Sequence, residues 1–328
     1  MKVVILYYVG KKEDDVDTLE GVKGIEEACH RLTYRVTTVN VTAENWCRAV
    51  ETPGDIYFNF VEDETWDLYV SVGLGLEKLR KTQVAHDLAS FKFATEKTAI
   101  KQVLLKSKLS TPNFKTFSNN CKINDEGLNY PLILKPSHQH AGIGISQKSV
   151  VTGKKDLEAR AGYLYKRFGG DIIVEEYIAG REIHATVLGN GCDLTVFPLC
   201  EIGFGGKFRS GWSVYTYESK WDKKSWEYRD ARVDAPAKIP ENQRGKINHL
   251  AIKAYQIFGC RDIARFDVRV SAGGEPFLID VNFNPSLNVY DEQDATVASV
   301  KACGWSYDEF IKKLLEITGR RAQAQKSV

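Results

Sequence analysis

Residues 265–270 read Arg-Phe-Asp-Val-Arg-Val, followed by the turn Ser-Ala-Gly-Gly-Glu and then Pro-Phe-Leu-Ile-Asp-Val-Asn-Phe-Asn-Pro up to 285. Successive side chains of a strand point to opposite faces. Arg265, Asp267 and Arg269 therefore share one face, and Asp280 and Asn282 share a face of the next strand. A hairpin here brings Asp267 opposite Asp280 and Asn282. The apolar neighbours Phe266, Val268, Leu278 and Val281 make both strands at least half-buried, and acids facing each other there repel without a cation. Two carboxylates and an amide oxygen are hard ligands, suited to Mg2+ held together with substrate phosphates. Charges on a solvent-facing strand are the plain alternative.

Two further groups can do related chemistry. Lys135 ends the apolar run Leu132–Pro136, beside the small-residue turn Ala141-Gly142-Ile143-Gly144-Ile145. A lysine there can reach a phosphate as a point charge. The N–H groups of the turn can cradle phosphate oxygens. A snorkelling lysine and an ordinary hairpin turn are equally open readings. The run Glu175-Glu176-Tyr177-Ile178-Ala179-Gly180-Arg181-Glu182 leaves one strand, crosses a glycine and enters another. Its backbone and carboxylates can receive a base and a ribose, or it is a linker between modules.

The elements that must position these groups follow from periodicity. Strand patterns at 3–9, 34–41 and 55–61 alternate with a helical pattern at 16–32, which predicts parallel pairing through right-handed crossovers. Helix 90–108, with Lys97 and Lys101 on one side, precedes strands 131–136, 143–151 and 171–178 and a helix ending near 168. That order predicts an antiparallel α+β module. Strands 182–188 and 194–202 meet at Gly189-Asn190-Gly191, a hairpin signal. Residues 203–230 form a long polar stretch, and a loop of that length inside a domain is usually functional. Helix 242–258, strands 262–270 and 276–281, and helix 305–319 complete the chain. The tail 320–328 is expected to be mobile.

Composition limits the function classes. The 328 residues suit two or three domains. Lys+Arg total 45 against Asp+Glu 43, so bulk charge does not favour a nucleic-acid partner. No window reaches the roughly 18 apolar residues of a membrane span, and 1–10 reads as a buried strand, not a signal peptide. The seven cysteines are scattered and form no CxxC, which suits reduced thiols in a cytoplasmic protein.

In combination, LILKP at 132–136, EEYIAGREIHATVLGNG at 175–191, YESKW at 217–221 and RFDVRV…GGEPFLIDVNFNP at 265–285 resemble the ATP-grasp superfamily. Within it the chain is similar to the D-alanine–D-alanine ligase family. The resemblance implies an α/β ATP-grasp fold of three domains. They are an N-terminal Rossmann-like unit at 1–90, a central module at 91–180, and a C-terminal module at 181–328 with a lid at 203–230. ATP would lie between the last two. It implies Lys97, Lys135 and Gly142 at the nucleotide phosphates, Glu175, Glu176, Tyr177 and Ile178 as the adenine hinge, and Glu182 at the ribose. Lys220 would close over the γ-phosphate. Arg265 would steady the acyl-phosphate and tetrahedral intermediate, with the backbone N–H of Ser286 at the oxyanion. Asp267, Asp280 and Asn282 would hold Mg2+, two ions being expected and Mn2+ an alternative. Trp212, Trp221 and Trp226 would give the lid its apolar cover.

Departures from the family bear on the substrate. Metal position 280 is Asp in place of the usual Glu. The usual Ser of the turn after Lys135 and the Tyr after the loop lysine are Ala141 and Trp221, and their side chains are not expected to make the family's hydrogen-bonded link. The family's acidic site for the substrate amine has only Glu20 as a candidate. The expected function is therefore an ATP-dependent carboxylate–amine ligase whose first substrate is not D-alanine. His138, His140, Lys207, Arg209 and Asn288 are its candidate substrate contacts. A D-alanine–D-alanine ligase and an ATP-grasp small-molecule kinase are the alternatives. The partners expected are small carboxylic acids and amines, with no nucleic acid and no membrane; a homodimer through the N-terminal unit is an arrangement the family allows.

Overall fold

A computed structural model describes residues 1–10, 14–85, 93, 96–118 and 123–326. β1 (Lys2–Tyr7) is Val-Val-Ile-Leu at its centre, all four fully buried, as a strand covered on both faces requires. It lies between β2 (Arg35–Asn40) and β3 (Ile56–Phe60), parallel to both, and the helix Asp14–Arg31 makes the first crossover. A second sheet, wholly antiparallel, takes the order β4-β7-β5-β6, from β4 (Phe114–Phe117), β5 (Leu132–Pro136), β6 (Val150–Val151) and β7 (Ile172–Glu176). The largest sheet is also antiparallel. It contains β8 (Gly180–Asn190), β9 (Asp193–Val196), β10 (Cys200–Phe204), β11 (Ala231–Asp234), β12 (Ile263–Ser271) and β13 (Pro276–Asn282), in the order β11-β10-β8-β12-β13 with β9 on β8.

The two-residue period of the large sheet decides which side does chemistry. Ile183, Ala185 and Val187 of β8, with Phe266 and Val268 of β12, pack against Ile247, Leu250 and Ala254 of the helix Glu241–Ile257. Ile100 and Leu104 of the helix Lys97–Lys106 join the same core. The alternate residues Glu182, His184, Arg265, Asp267 and Arg269 then face the other way, into a cleft.

Several expected elements differ. The strand expected at 143–151 is only Val150–Val151, preceded by a 3-10 turn, Gln147–Ser149. Ala141, Gly142 and Gly144 take φ of 54°, 80° and 77°, which breaks an extended chain. The strand expected at 194–202 divides around Pro198, which has no N–H for the ladder. The stretch 203–230 is not irregular: after β10 come the turn Gly206–Ser210 and two short helices, Tyr217–Trp221 and Trp226–Asp230. Their N-caps are Thr216, accepting from the Ser219 N–H at 3.0 Å, and Ser225, accepting from the Tyr228 N–H at 2.9 Å. The first residues of the helix expected from 90, at 90–92, lie outside the described residues, as does Cys121. The other six cysteines are free thiols.

The tail expected to be mobile continues the last helix, Tyr307–Lys326. Arg321 anchors it, with Nε 2.9 Å and Nη2 2.8 Å from the carboxylate of Asp262, and Nη2 also 2.6 Å from the Gln83 carbonyl. Fully buried Asp262 accepts as well from the Ala85 N–H and the Asn190 amide. One carboxylate thus ties the C-terminal helix to both the parallel and the large sheet. Arg321→Lys keeps the charge but loses the fork, and should cost about 1–2 kcal/mol. An unchanged urea midpoint would show that this anchor does not hold the chain together.

Candidate active site

One cleft of about 300 Å³ is walled by the two antiparallel sheets, by the first helix and the segment 62–69 after β3, and by the segment 213–221. All nine of the expected nucleotide residues line it. Lys97, at the start of its helix, places Nζ 2.7 Å from Asp280 Oδ2. Lys135, at the end of β5, places Nζ 2.9 Å from Glu175 Oε2. The other Glu175 oxygen is 3.2 Å from Lys101 Nζ, so this carboxylate, 1% exposed, sits between two lysines. Burial works against its charge, yet the two cations together hold its pKa below the usual range. Burial brings Lys101 down to about 8 in spite of Glu175. Glu175 therefore meets the site through its side chain, not only as part of a hinge.

The hinge itself is partly committed. The N–H groups of Glu176 and Tyr177 donate to the carbonyls of Asn113 and Pro131. The Glu176 carboxylate accepts from the side-chain amides of Asn113 and Asn129. The Ile178 carbonyl accepts from Arg269 Nε at 3.0 Å. Arg269 also bonds Glu182 Oε2 at 3.3 Å, so a residue placed on the cleft face from the sequence, but given no role there, braces hinge and ribose candidate alike.

The hairpin face is assembled as its alternation predicts. Asp267 lies directly opposite Asp280 and Arg265 opposite Asn282, with a bulge after Asp267. Arg265 grips Asp267 with Nε at 2.8 Å and Nη2 at 3.2 Å. The Asn282 amide donates to Asp267 Oδ2 at 3.0 Å. Burial alone would raise the Asp267 pKa, but Arg265 and then His184 outweigh it and hold it well below the carboxylate range. Among the described residues no three His, Cys, Asp or Glu side chains form a closed metal site. Two ionised carboxylates and an amide oxygen do fit Mg2+ as an open oxygen set, completed by phosphates and water. Arg265 and Lys97 balance the two acids in this structure.

The segment 213–221 forms a roof. Lys220 lines the cleft with Nζ 4.9 Å from the ring centre of Tyr215. Gly142 lines it too, and its φ of 80° matters: a Cβ there would stand 3.2 Å from the Tyr217 nitrogen. Ala141 and Trp221 are nevertheless linked, by a route other than the family's side-chain pair. The Trp221 indole N–H donates to the Ala141 carbonyl at 2.9 Å, so roof and turn are latched through a backbone acceptor that every residue possesses. Of the three tryptophans, only Trp221 faces the cleft. Trp212 packs on Tyr177 and Trp226 on Phe208.

The candidate substrate contacts divide. His140 lines the cleft with its ring 4.4 Å from that of Trp66, and burial first, then Lys97, lowers its pKa to about 3. Ser286 also lines it, its hydroxyl 3.2 Å from Asp17. His138, Lys207 and Arg209 do not; all three are exposed, the last two on a turn that points its charges outward. Asn288 is buried behind the cleft, bonded to Asp17 at 2.7 Å and Glu20 at 3.1 Å. It holds the first helix against the 284–288 loop. Glu20 is likewise behind the wall. Besides the nucleotide and metal candidates, the acids that line the cleft are Asp15, Asp17, Glu62, Asp63 and Glu64, with Asp291 and Asp294 from the far end of the chain. Burial raises Asp17 to about 6 and Asp294 to about 7, and neighbouring acids add to it.

Known proteins resemble this chain in sequence and in fold. The family described as D-ala D-ala ligase C-terminus matches residues 102–316. A D-alanine–D-alanine ligase of Bordetella petrii is 28% identical over 318 residues, 94% of this chain and 89% of that protein. An uncharacterized protein of Sinorhizobium fredii is 28% identical over 229 residues, 69% of this chain and 63% of its own, so the match spans less than two thirds of it. In fold, the chain is similar to the D-alanine–D-alanine ligase of Bacillus anthracis crystallised with ATP. The TM-score is 0.78 over 99% of both chains, at 17% identity.

Proposed function

The chain belongs to the D-ala D-ala ligase C-terminus family, and from that premise we propose that it is an ATP-dependent carboxylate–amine ligase acting through an acyl-phosphate. The carrying observation is that Lys97, Lys135, Lys220 and Arg265 converge with Asp267 and Asp280 in one cleft. On this reading the units 1–90, 91–180 and 181–328 close on the substrates, with ATP between the second and third. A carboxylate oxygen attacks the γ-phosphorus of ATP and ADP leaves. The amine nitrogen then attacks the acyl carbon, the acyl C–O bond to phosphate breaks, and the amine gives up a proton. Lys135, Lys220 and Arg265 stabilise the charge spread over the transferring group. Asp267, Asp280 and Asn282 would hold Mg2+, two ions on this reading, which when bound neutralises phosphate charge. The roof excludes water, which would otherwise hydrolyse the acyl-phosphate.

The roof's hold is testable. Trp221→Phe removes one hydrogen bond worth about 1 kcal/mol, so calorimetry should find ATP bound about fivefold more weakly. Unchanged affinity would leave the latch without a role.

The finer proposal concerns the substrate. The acidic wall, in which burial has raised the pKa values of Asp17, Asp291 and Asp294, favours an incoming ammonium group, which would lower them again. With the altered roof contact at Ala141 and Trp221, it supports a first substrate other than D-alanine, and the amine partner is the group the wall receives. A screen of ADP release over pairs of carboxylic acids and amino acids tests both. D-Alanine paired with itself should be poor; if it is the best pair, the chain is a cell-wall type ligase. Full-rate ADP release without any amine, with a stable phosphorylated product, would make it a kinase.

A further inference from the structure

His184 has no role in the proposed reaction, yet it lies between two groups that do. It stands two residues after Glu182 on β8 and directly opposite Asp267 on β12, so strand alternation puts all three on the cleft face. Its side chain is 2% exposed. Nε2 is 3.4 Å from Glu182 Oε1, a long hydrogen bond, and 3.7 Å from Asp267 Oδ1. Tyr215 of the roof packs its ring 6.4 Å from the imidazole and limits how far it can turn. Each carboxylate also has an arginine of its own, Arg269 for Glu182 and Arg265 for Asp267. Among the described residues, His184 is the one basic side chain within 4 Å of both carboxylates.

We propose that His184 is a positioning residue whose Nε2–H, placed between Glu182 and Asp267, fixes the ribose-side carboxylate relative to the metal-side carboxylate. The inference rests on the nucleotide and metal reading of the cleft. Its physical content is that two like-charged carboxylates on adjacent strands keep their spacing only with a donor between them. One imidazole then couples grip on the nucleotide to grip on the cation, and its loss should be felt in both.

Gln and Met have nearly the same shape, but only Gln carries an N–H. The test compares wild type, His184→Gln and His184→Met, checked for folding by circular dichroism. Mn2+ binding in the presence of ADP is read by electron paramagnetic resonance of the free ion, and ADP binding with EDTA by calorimetry. The Met variant should bind Mn2+ about 10- to 100-fold more weakly. It should also hold ADP several-fold more weakly without metal, while Gln restores most of both. A Met variant that titrates like wild type overturns the inference, and so do Gln and Met variants weakened equally. Should the Met variant fail to fold, His184→Asn, too short to reach either acid, is judged by the same criterion. Wild-type protein that binds no Mn2+ with ADP would overturn the parent reading, and this inference with it.

Discussion

Arg265→Met should lower amide formation about 10³-fold while ATP affinity stays within a few-fold. Met nearly matches the arginine stem in length and removes the guanidinium. That group lies in the cleft, 11% exposed, with two nitrogens on Asp267. Its charge is secure, because Asp267 overcomes the cost of burial and raises its pKa further. A fixed, desolvated cation of this kind contributes most where charge develops during reaction, and little to binding of the ground state. The variant also leaves Asp267 without its main partner, so metal binding needs its own measurement. Arg265→Lys separates the two effects, since it keeps a cation near Asp267 but loses the planar fork. Quantified amide product and ADP calorimetry on both variants decide the matter. Parallel loss of product and nucleotide binding would show that Arg265 serves the nucleotide, not the reacting carbon.

What could be read from the sequence, and what could not, follows from the range of the interactions. Strand alternation carried the hairpin: Arg265, Asp267, Asp280 and Asn282 meet as their spacing demands. The same rule, applied from Glu182 to i+2, points to His184, so that signal was present though unused. Asp17 had no local signal. It enters the site from the first helix, through contacts to Ser286 and Asn288 nearly the whole chain away. Lys207 and Arg209 misled because loop charge says nothing about direction, and a single 3-10 turn aimed both at solvent. Trp221 misled for another reason. Comparing side chains alone overlooks that an indole N–H can use a main-chain carbonyl, here that of Ala141. The short helices Tyr217–Trp221 and Trp226–Asp230 were hidden for want of apolar periodicity; capping residues, not packing stripes, define them.

Glu175→Gln should destabilise the protein by about 3–5 kcal/mol near pH 7, and the loss should shrink as pH rises. In the wild type this carboxylate lies 3.2 Å from Lys101 and 2.9 Å from Lys135, all three buried. Without its charge, two ammonium groups face each other in a poorly solvated pocket. The easier escape is to deprotonate Lys101, which burial has already brought to about 8, whereas Glu175, Asp280 and Glu182 outweigh burial at Lys135 and raise it. The sign follows from proton binding. A lysine whose folded pKa is depressed binds fewer protons folded than unfolded between the two values. Its contribution to stability therefore rises with pH across that window and is lost as pH falls through the folded value. Removing Glu175 pushes the folded pKa of Lys101 lower still, which extends the window downward in the variant alone. The gap between variant and wild type must then be wider at about pH 6.5 than at about pH 9, as urea unfolding at the two pH values would record. A gap independent of pH would mean that Lys101 carries no charge in this pocket. Lys135 would then owe its place in the cleft to Glu175 alone, not to a carboxylate shared between two cations.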